Sequence, residues 1–163
     1  MRRRLLAIDP GSSESAYVIL DERNYQVLAK GKIPNGDLAM ALPVTERVAI
    51  EQIGHYGTGM PAGRDVFDTC RFIGRLEHVL ITRGTPYELV LRATVKAHHT
   101  GSAKAKDSNI IQALVDRFAS GQPNRGKGTK ANPGFFYGFA ADTWQAMALA
   151  VYAADAGIGG FGL

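Results

Sequence analysis

Three acids stand where an ordinary surface role does not fully account for them. Asp9 closes the apolar run RLLAID, just before Pro10-Gly11 and a second apolar run, AYVIL. Glu51 lies inside VAIEQI, between Ile50 and Ile53, where a carboxylate is expensive to bury without a compensating charge. Asp142 opens the stretch ADTWQAMALAVYAAD, which carries no further charge until Asp155. Each has a plain alternative. Asp9 suits a turn, and Asp142 suits a helix cap or the positive end of a helix dipole. Glu51 demands more, either a basic partner or a metal. A strand-end Asp, a mid-strand Glu and a helix-start Asp that converge at one end of a sheet make an all-oxygen ligand set, which favours Mg²⁺ or Mn²⁺ over zinc. The chemistry suited to such a set is phosphodiester hydrolysis. Two cations about 3.5–4 Å apart then activate water and stabilise the departing 3′ oxygen.

Other chemistry-bearing types are weaker. Read as an extended segment, His98 and His99 point to opposite faces. His55 reads as a loop residue and His78 as helix surface. GKGTK, at residues 126–130, is too short for a phosphate-binding P-loop and follows no strand. Cys70 is the single cysteine, which excludes an internal disulfide framework and a cysteine-rich zinc site.

Charge is uneven along the chain. The 163 residues carry a net +4, but residues 92–130 hold eight Lys/Arg against two acids, a local +6, so the remainder nets −2. A polyanion is the partner this suggests. Lys127 and Lys130 lie in ASGQPNRGKGTKANPG, a Gly/Pro-rich stretch expected to be a flexible loop that tracks a phosphate backbone. Tyr56 reads either as a base-stacking residue or as loop packing, and Phe136 as loop packing.

The elements that must position these residues follow from pattern. Residues 4–8 and 16–20 read as a hairpin, NYQVLAKGKIP as a third strand, and NGDLAMALP as two helical turns at most. ERVAIEQIG is the next strand. The sequence RDVFDTCRFIGRLEHVL has a helical period with Val66, Cys70, Ile73 and Leu80 on one face, interrupted by Glu77. YELVLRATV alternates like a strand. DSNIIQALVDRF returns to the helical period through Ile111, Leu114, Val115 and Phe118, and the tail GIGGFGL reads as frayed. The order predicts a single domain over residues 1–163, α/β in class, with a mixed sheet flanked by helices. With only four apolar residues before Asp9, neither a signal peptide nor a membrane span fits, and a cytoplasmic location is expected.

Four blocks resemble, in order, those of the RuvC-like Holliday junction resolvases, which share the ribonuclease H fold. They are AIDPGSSESAYVIL, VAIEQI, RATVKAHHTGSAKAKDSNI and ADTWQAMALAVYAAD. The Asp-Pro-Gly of the first matches Asp9, Pro10 and Gly11, and the Ile-Glu-Gln of the second matches Ile50, Glu51 and Gln52. The third matches at Val95, Lys96, Thr100, Gly101 and Lys104 or Lys106. The last matches at Asp142, with Thr143 where Ala is usual. The resemblance covers nearly the whole chain. It implies a homodimer, paired through the helix near residues 64–81, that cuts branched DNA symmetrically with two Mg²⁺ or Mn²⁺ ions. Asp9, Glu51 and Asp142 would hold the metals. Lys104 or Lys106 would act at the scissile phosphate and Lys96 near it or at the backbone beside it, while the basic stretch independently offers Arg125, Lys127 and Lys130 as DNA contacts, with Tyr56 a further one on its stacking reading. In a viral source the location would be the host cytoplasm.

Three positions depart from the family pattern. Phe139 stands where a further acid or histidine is usual, leaving Gln145, Glu14, Asp107 and His98 as candidates for the missing ligand. Ala16 replaces a usual Gly. The segment from Ile33 to Glu51 is too short for a full helix, similar to compact phage or mobile-element versions. Phe139 supports a second reading, a nucleic-acid-binding protein of the same fold whose catalysis has lapsed, whereas Glu51 in an apolar strand argues against it. An actin-like or sugar-kinase-like phosphotransferase needs a longer, two-domain chain.

Overall fold

The computed structural model describes residues 3–54 and 62–157. Strand β1 (Arg4–Asp9) sets the two faces of the sheet by its period of two. Leu5 and Ala7 enter one core, and Leu6 and Ile8 enter the other. Asp9, next in the alternation, falls on the Leu5 face. The remaining elements are β2 (Glu14–Asp21), β3 (Gln26–Pro34), α1 (Asn35–Met40), β4 (Arg47–Gln52), α2 (Arg64–Arg83), β5 (Tyr87–Leu91), α3 (Arg92–Thr100), α4 (Asp107–Phe118) and α5 (Thr143–Asp155). They build a five-stranded sheet in the order β3-β2-β1-β4-β5. The first three strands form an antiparallel meander, and β4 and β5 join it in parallel.

Helix α2 covers the Leu6 and Ile8 face through Phe72, Ile73, Leu76 and Leu80. Ile73 and Leu80 are buried as expected, whereas Val66 is only half-buried. Cys70 is exposed and Thr69 buried in its place. On the opposite face α5 lies between the sheet and helices α3 and α4, so it is apolar on every side. Met147, Leu149 and Val151 are fully buried there, each worth about 1.5–3 kcal/mol against exposure.

Two expectations are corrected. RATV begins helix α3 rather than extending β5, which puts His98 and His99 on neighbouring helical positions with ring centroids 5.1 Å apart. Both rings turn toward α5: His98 Nε2 lies 2.7 Å from Asp155 Oδ2 and His99 Nε2 lies 2.8 Å from the Ala148 carbonyl. The stretch 119–134 is a folded loop rather than a flexible one. Phe136 N donates to Gly126 O at 2.8 Å, Gly134 N to Lys127 O at 3.0 Å, and Phe135 N to Gln122 Oε1 at 2.9 Å. Gly126, at φ +78°, is obligatory because a Cβ there would sit 2.4 Å from that of Ala119. Phe136 is buried against Phe139 and Trp144, as loop packing predicts. The tail beyond residue 157 lies outside the described residues.

The far end of α5 is tied down by charge. Asp155 accepts from Tyr25 Oη at 2.6 Å and from Arg117 Nη1 and Nη2 at 2.6 and 2.9 Å. Burial alone would raise the Asp155 carboxyl, but these donors and His98 outweigh it and hold it well below the usual range. Buried Arg47 pairs with Glu22 and donates to the Ala153 carbonyl at 2.8 Å. One end of α5 is thereby fixed to three elements, which sets where its other end, at Asp142, must lie.

Candidate active site

The sheet register assembles one row of side chains on the α5 face. Lys32 of β3 pairs with Ala16 of β2, and Ala16 with Asp9 of β1. Ile8 pairs with Ile50, so the next step sets Asp9 beside Glu51, which pairs with Val90 of β5. The row therefore reads Lys32, Ala16, Asp9, Glu51, Val90. Ala16, at its second place, is buried in the core on the α5 face.

Gly11 makes the exit from β1 possible. A Cβ on it would lie 2.3 Å from the Glu14 carbonyl oxygen. Around that turn Gly11 N donates to Ser15 Oγ at 3.2 Å, Ser15 Oγ to Asn35 Oδ1 at 2.6 Å, and Asn35 Nδ2 to Gly11 O at 2.9 Å. Asp9 is fixed by its backbone rather than by its side chain.

Asp142 arrives from the other direction. It is the residue before α5 and makes no side-chain cap bond, so the capping alternative fails. Its predecessor Ala141 has φ +43°, a left-handed conformation that costs an alanine about 1–3 kcal/mol and turns the chain sharply into the helix. Lys32 Nζ donates to Asp142 Oδ2 at 2.7 Å, which raises the lysine's pKa.

Glu51 finds the basic partner its burial demands. Arg92 Nη1 lies 3.5 Å from Glu51 Oε1, and Nη2 of the same guanidinium lies 2.9 Å from Asp107 Oδ1. Lys96 Nζ is 3.8 Å from Asp107, joining the third sequence block to the cluster. Burial pushes the Glu51 carboxyl above its usual value against the opposing pull of Arg92.

Arg92 and Lys32 pull the Asp9 pKa down only through their charge, without pairing with it. Among the described residues it accepts no side-chain hydrogen bond and joins no ion pair. Burial, then the charges of Glu51 and Asp142, push its pKa up to about 7. A half-buried carboxylate repelled by two others, with no partner of its own, is an oxygen donor that a divalent cation would stabilise. Asp9, Glu51 and Asp142 fit such an ion by chemistry and by mutual influence. Yet among the described residues no three His, Cys, Asp or Glu side chains are close enough together to hold a metal ion as they stand. Asp142 and Glu51 are instead held by Lys32 and Arg92.

The other candidates fall as follows. Phe139 is buried in the aromatic cluster with Lys30 Nζ 5.0 Å from its ring centroid. Gln145 is buried in α5, and Glu14 is exposed at the start of β2. His98 is engaged with Asp155 at the far end of α5, and Asp107 with Arg92 and Lys96. Lys104 and Lys106 are exposed in the connection between Gly101 and α4, immediately before Asp107. Arg125 and Lys130 are exposed and Lys127 half-buried on the folded loop. Tyr56 and His55 lie outside the described residues. Lys32 and Arg92 were not among the residues singled out from sequence. The cross-strand register from Asp9 through Ala16 was the one available pointer to Lys32.

No protein-family model and no curated protein matches this sequence. Solved structures do match it. The chain is similar to Thermus thermophilus RuvC, at 15% identity and a TM-score of 0.65, covering 95% of this chain and 97% of that one. It is also similar to T. thermophilus RuvC in complex with a Holliday junction substrate, at 14% identity and a TM-score of 0.65, covering 94% and 96%. The mixed sheet flanked by helices is thus the RuvC-like, ribonuclease H-like fold that the four blocks implied. No helix among the described residues is long and apolar enough to cross a membrane.

Proposed function

We propose that this protein is a Holliday junction resolvase, a cation-dependent endonuclease that hydrolyses phosphodiesters in four-way DNA junctions as a homodimer. Residues 1–163 act in this reading as a single nuclease domain. The observation that carries it is the Asp9 carboxylate, set by sheet register beside Glu51 and repelled also by Asp142 at the start of α5, on a RuvC-like fold. Asp9, Glu51 and Asp142 would hold Mg²⁺ or Mn²⁺, which when bound supplies water activation and stabilisation of the leaving 3′ oxygen. The chain's own residues do the rest. Lys96 lies beside the acidic cluster, while Lys104 and Lys106 offer exposed ammonium groups next to it for the scissile strand. Arg125, Lys127 and Lys130 offer backbone contacts that carry no base sequence. The two-fold symmetry of a four-way junction suits a two-fold dimer.

The lapsed-nuclease reading has its own support in Phe139, buried under Lys30 where the family carries another ligand. One assay separates the two. Purified protein is incubated with a labelled four-way junction, a fork and a linear duplex, each with Mg²⁺, Mn²⁺ or EDTA. Paired symmetric cuts in the junction alone, abolished by EDTA, are expected. Tight junction binding with no cut in either metal favours the lapsed reading. Equal affinity for junction and duplex removes the junction assignment.

A further inference from the structure

Each of the two carboxylates flanking Asp9 carries its own cation, and the two pairs differ. Arg92 divides itself between Glu51 and Asp107, so losing one carboxylate leaves it the other. Among the described residues Lys32 donates a side-chain hydrogen bond only to Asp142, and its side chain remains 42% exposed on the edge strand β3. The ammonium group therefore has solvent to move into. It occupies Asp142 Oδ2 at 2.7 Å, and among the described residues the three acids do not yet form a group that could hold a metal ion.

We propose that Lys32 is a displaceable counter-ion: it holds Asp142 in the cation-free protein, and a divalent cation binds there only by breaking that pair. The inference rests on the proposed cation site. A fixed positive charge and a divalent ion compete for the same oxygen and repel each other, so Lys32 sets cation affinity without being a ligand. In the absence of metal it offsets part of the repulsion among the acids and keeps the start of α5 in place.

The test is Mn²⁺ binding to the whole protein by calorimetry, comparing the parent with K32M and K32R at low salt. Lys32 lies half-exposed on an edge strand, so both variants should fold, which their melting curves check. K32M should bind Mn²⁺ about three- to tenfold more tightly than the parent, and K32R should resemble the parent. In parallel, the Lys32 side-chain resonance, assigned by its loss in K32M, should shift during a Mg²⁺ titration with the midpoint of binding. Equal Mn²⁺ affinity in parent and K32M, or a Lys32 resonance indifferent to saturation, overturns the inference while the cation site stands. If neither protein binds Mn²⁺, the cation site falls and the inference with it. Binding by K32M alone supports it most strongly.

Discussion

Arg92 is the only cation within ion-pairing distance of Glu51 among the described residues, at 3.5 Å. Glu51 has a side chain only 14% exposed, so the arginine is what makes a charge in that strand tolerable. Arg92→Met should therefore raise the already elevated Glu51 pKa further. The variant should lose about 1–3 kcal/mol of metal-free stability at high pH, with the loss shrinking as the pH falls and the carboxyl takes up its proton. Urea melts of parent and variant at pH 8 and pH 5 measure this. An equal loss at both pH values would mean that Arg92 acts through packing alone.

Asp9 is shifted upward as Glu51 is, so here removing the carboxylate itself should stabilise the fold. Its folded-state pKa of about 7 lies above the unfolded value, so ionisation costs folding energy, with the cost growing from about pH 4 and complete above pH 7. Asp9→Asn should raise the metal-free melting temperature at pH 8 and change it little at pH 4.5. The same variant should keep junction binding within a few-fold and lose cleavage. Cutting within a few-fold of the parent at saturating Mn²⁺ would return Asp9 to the status of a turn residue.

Lys104 and Lys106 are exposed and make no ion pair among the described residues, so replacing them should leave folding nearly untouched. If either acts at the phosphate, its methionine variant should cut junctions at least about tenfold more slowly with binding retained. Weaker binding to junction and duplex alike, with a shallower salt dependence, would mark a backbone contact only. Single-turnover cleavage and competition binding separate the two outcomes.

The proposed dimer has a visible surface. Phe67 and Ile81 of α2 are 58% and 65% exposed, and their spacing of four helical turns sets them on one side of the helix. Sedimentation at micromolar protein should give a dimer, and Phe67→Asp with Ile81→Asp should give a folded monomer. A parent that stays monomeric when bound to a junction would remove this pairing.

Much of the fold was legible because it rests on local pattern. The hairpin of β1 and β2, the β3 and β4 strands and the helices α2, α4 and α5 follow from period and turn residues. RATV was misread because Thr94 and Val95 are β-branched and follow the strand YELVL directly, and Leu91 gives no side-chain cap to mark a helix start. Gly101, at φ +78°, did carry the stop signal. The order in 119–134 was hidden because glycines that usually loosen a chain here permit close backbone contact. The three acids were legible as outliers against apolar surroundings. Lys32 and Arg92 were not, because their meaning depends on the carboxylates they meet across the sheet and from a neighbouring helix.

The folded loop bears on how affinity would be apportioned in the proposed DNA complex. Arg125, Lys127 and Lys130 ride on a segment already held by Gly126, Gly134 and the Phe136 anchor. Ordering a free chain costs about 1–2 kcal/mol per residue, so a floppy loop would return most of the energy of its phosphate contacts as lost entropy. A preformed one keeps it. In the proposed DNA complex the basic residues would then act less like a tether that searches for a strand than like a fixed template, whose spacing would select the path a DNA backbone follows across the protein.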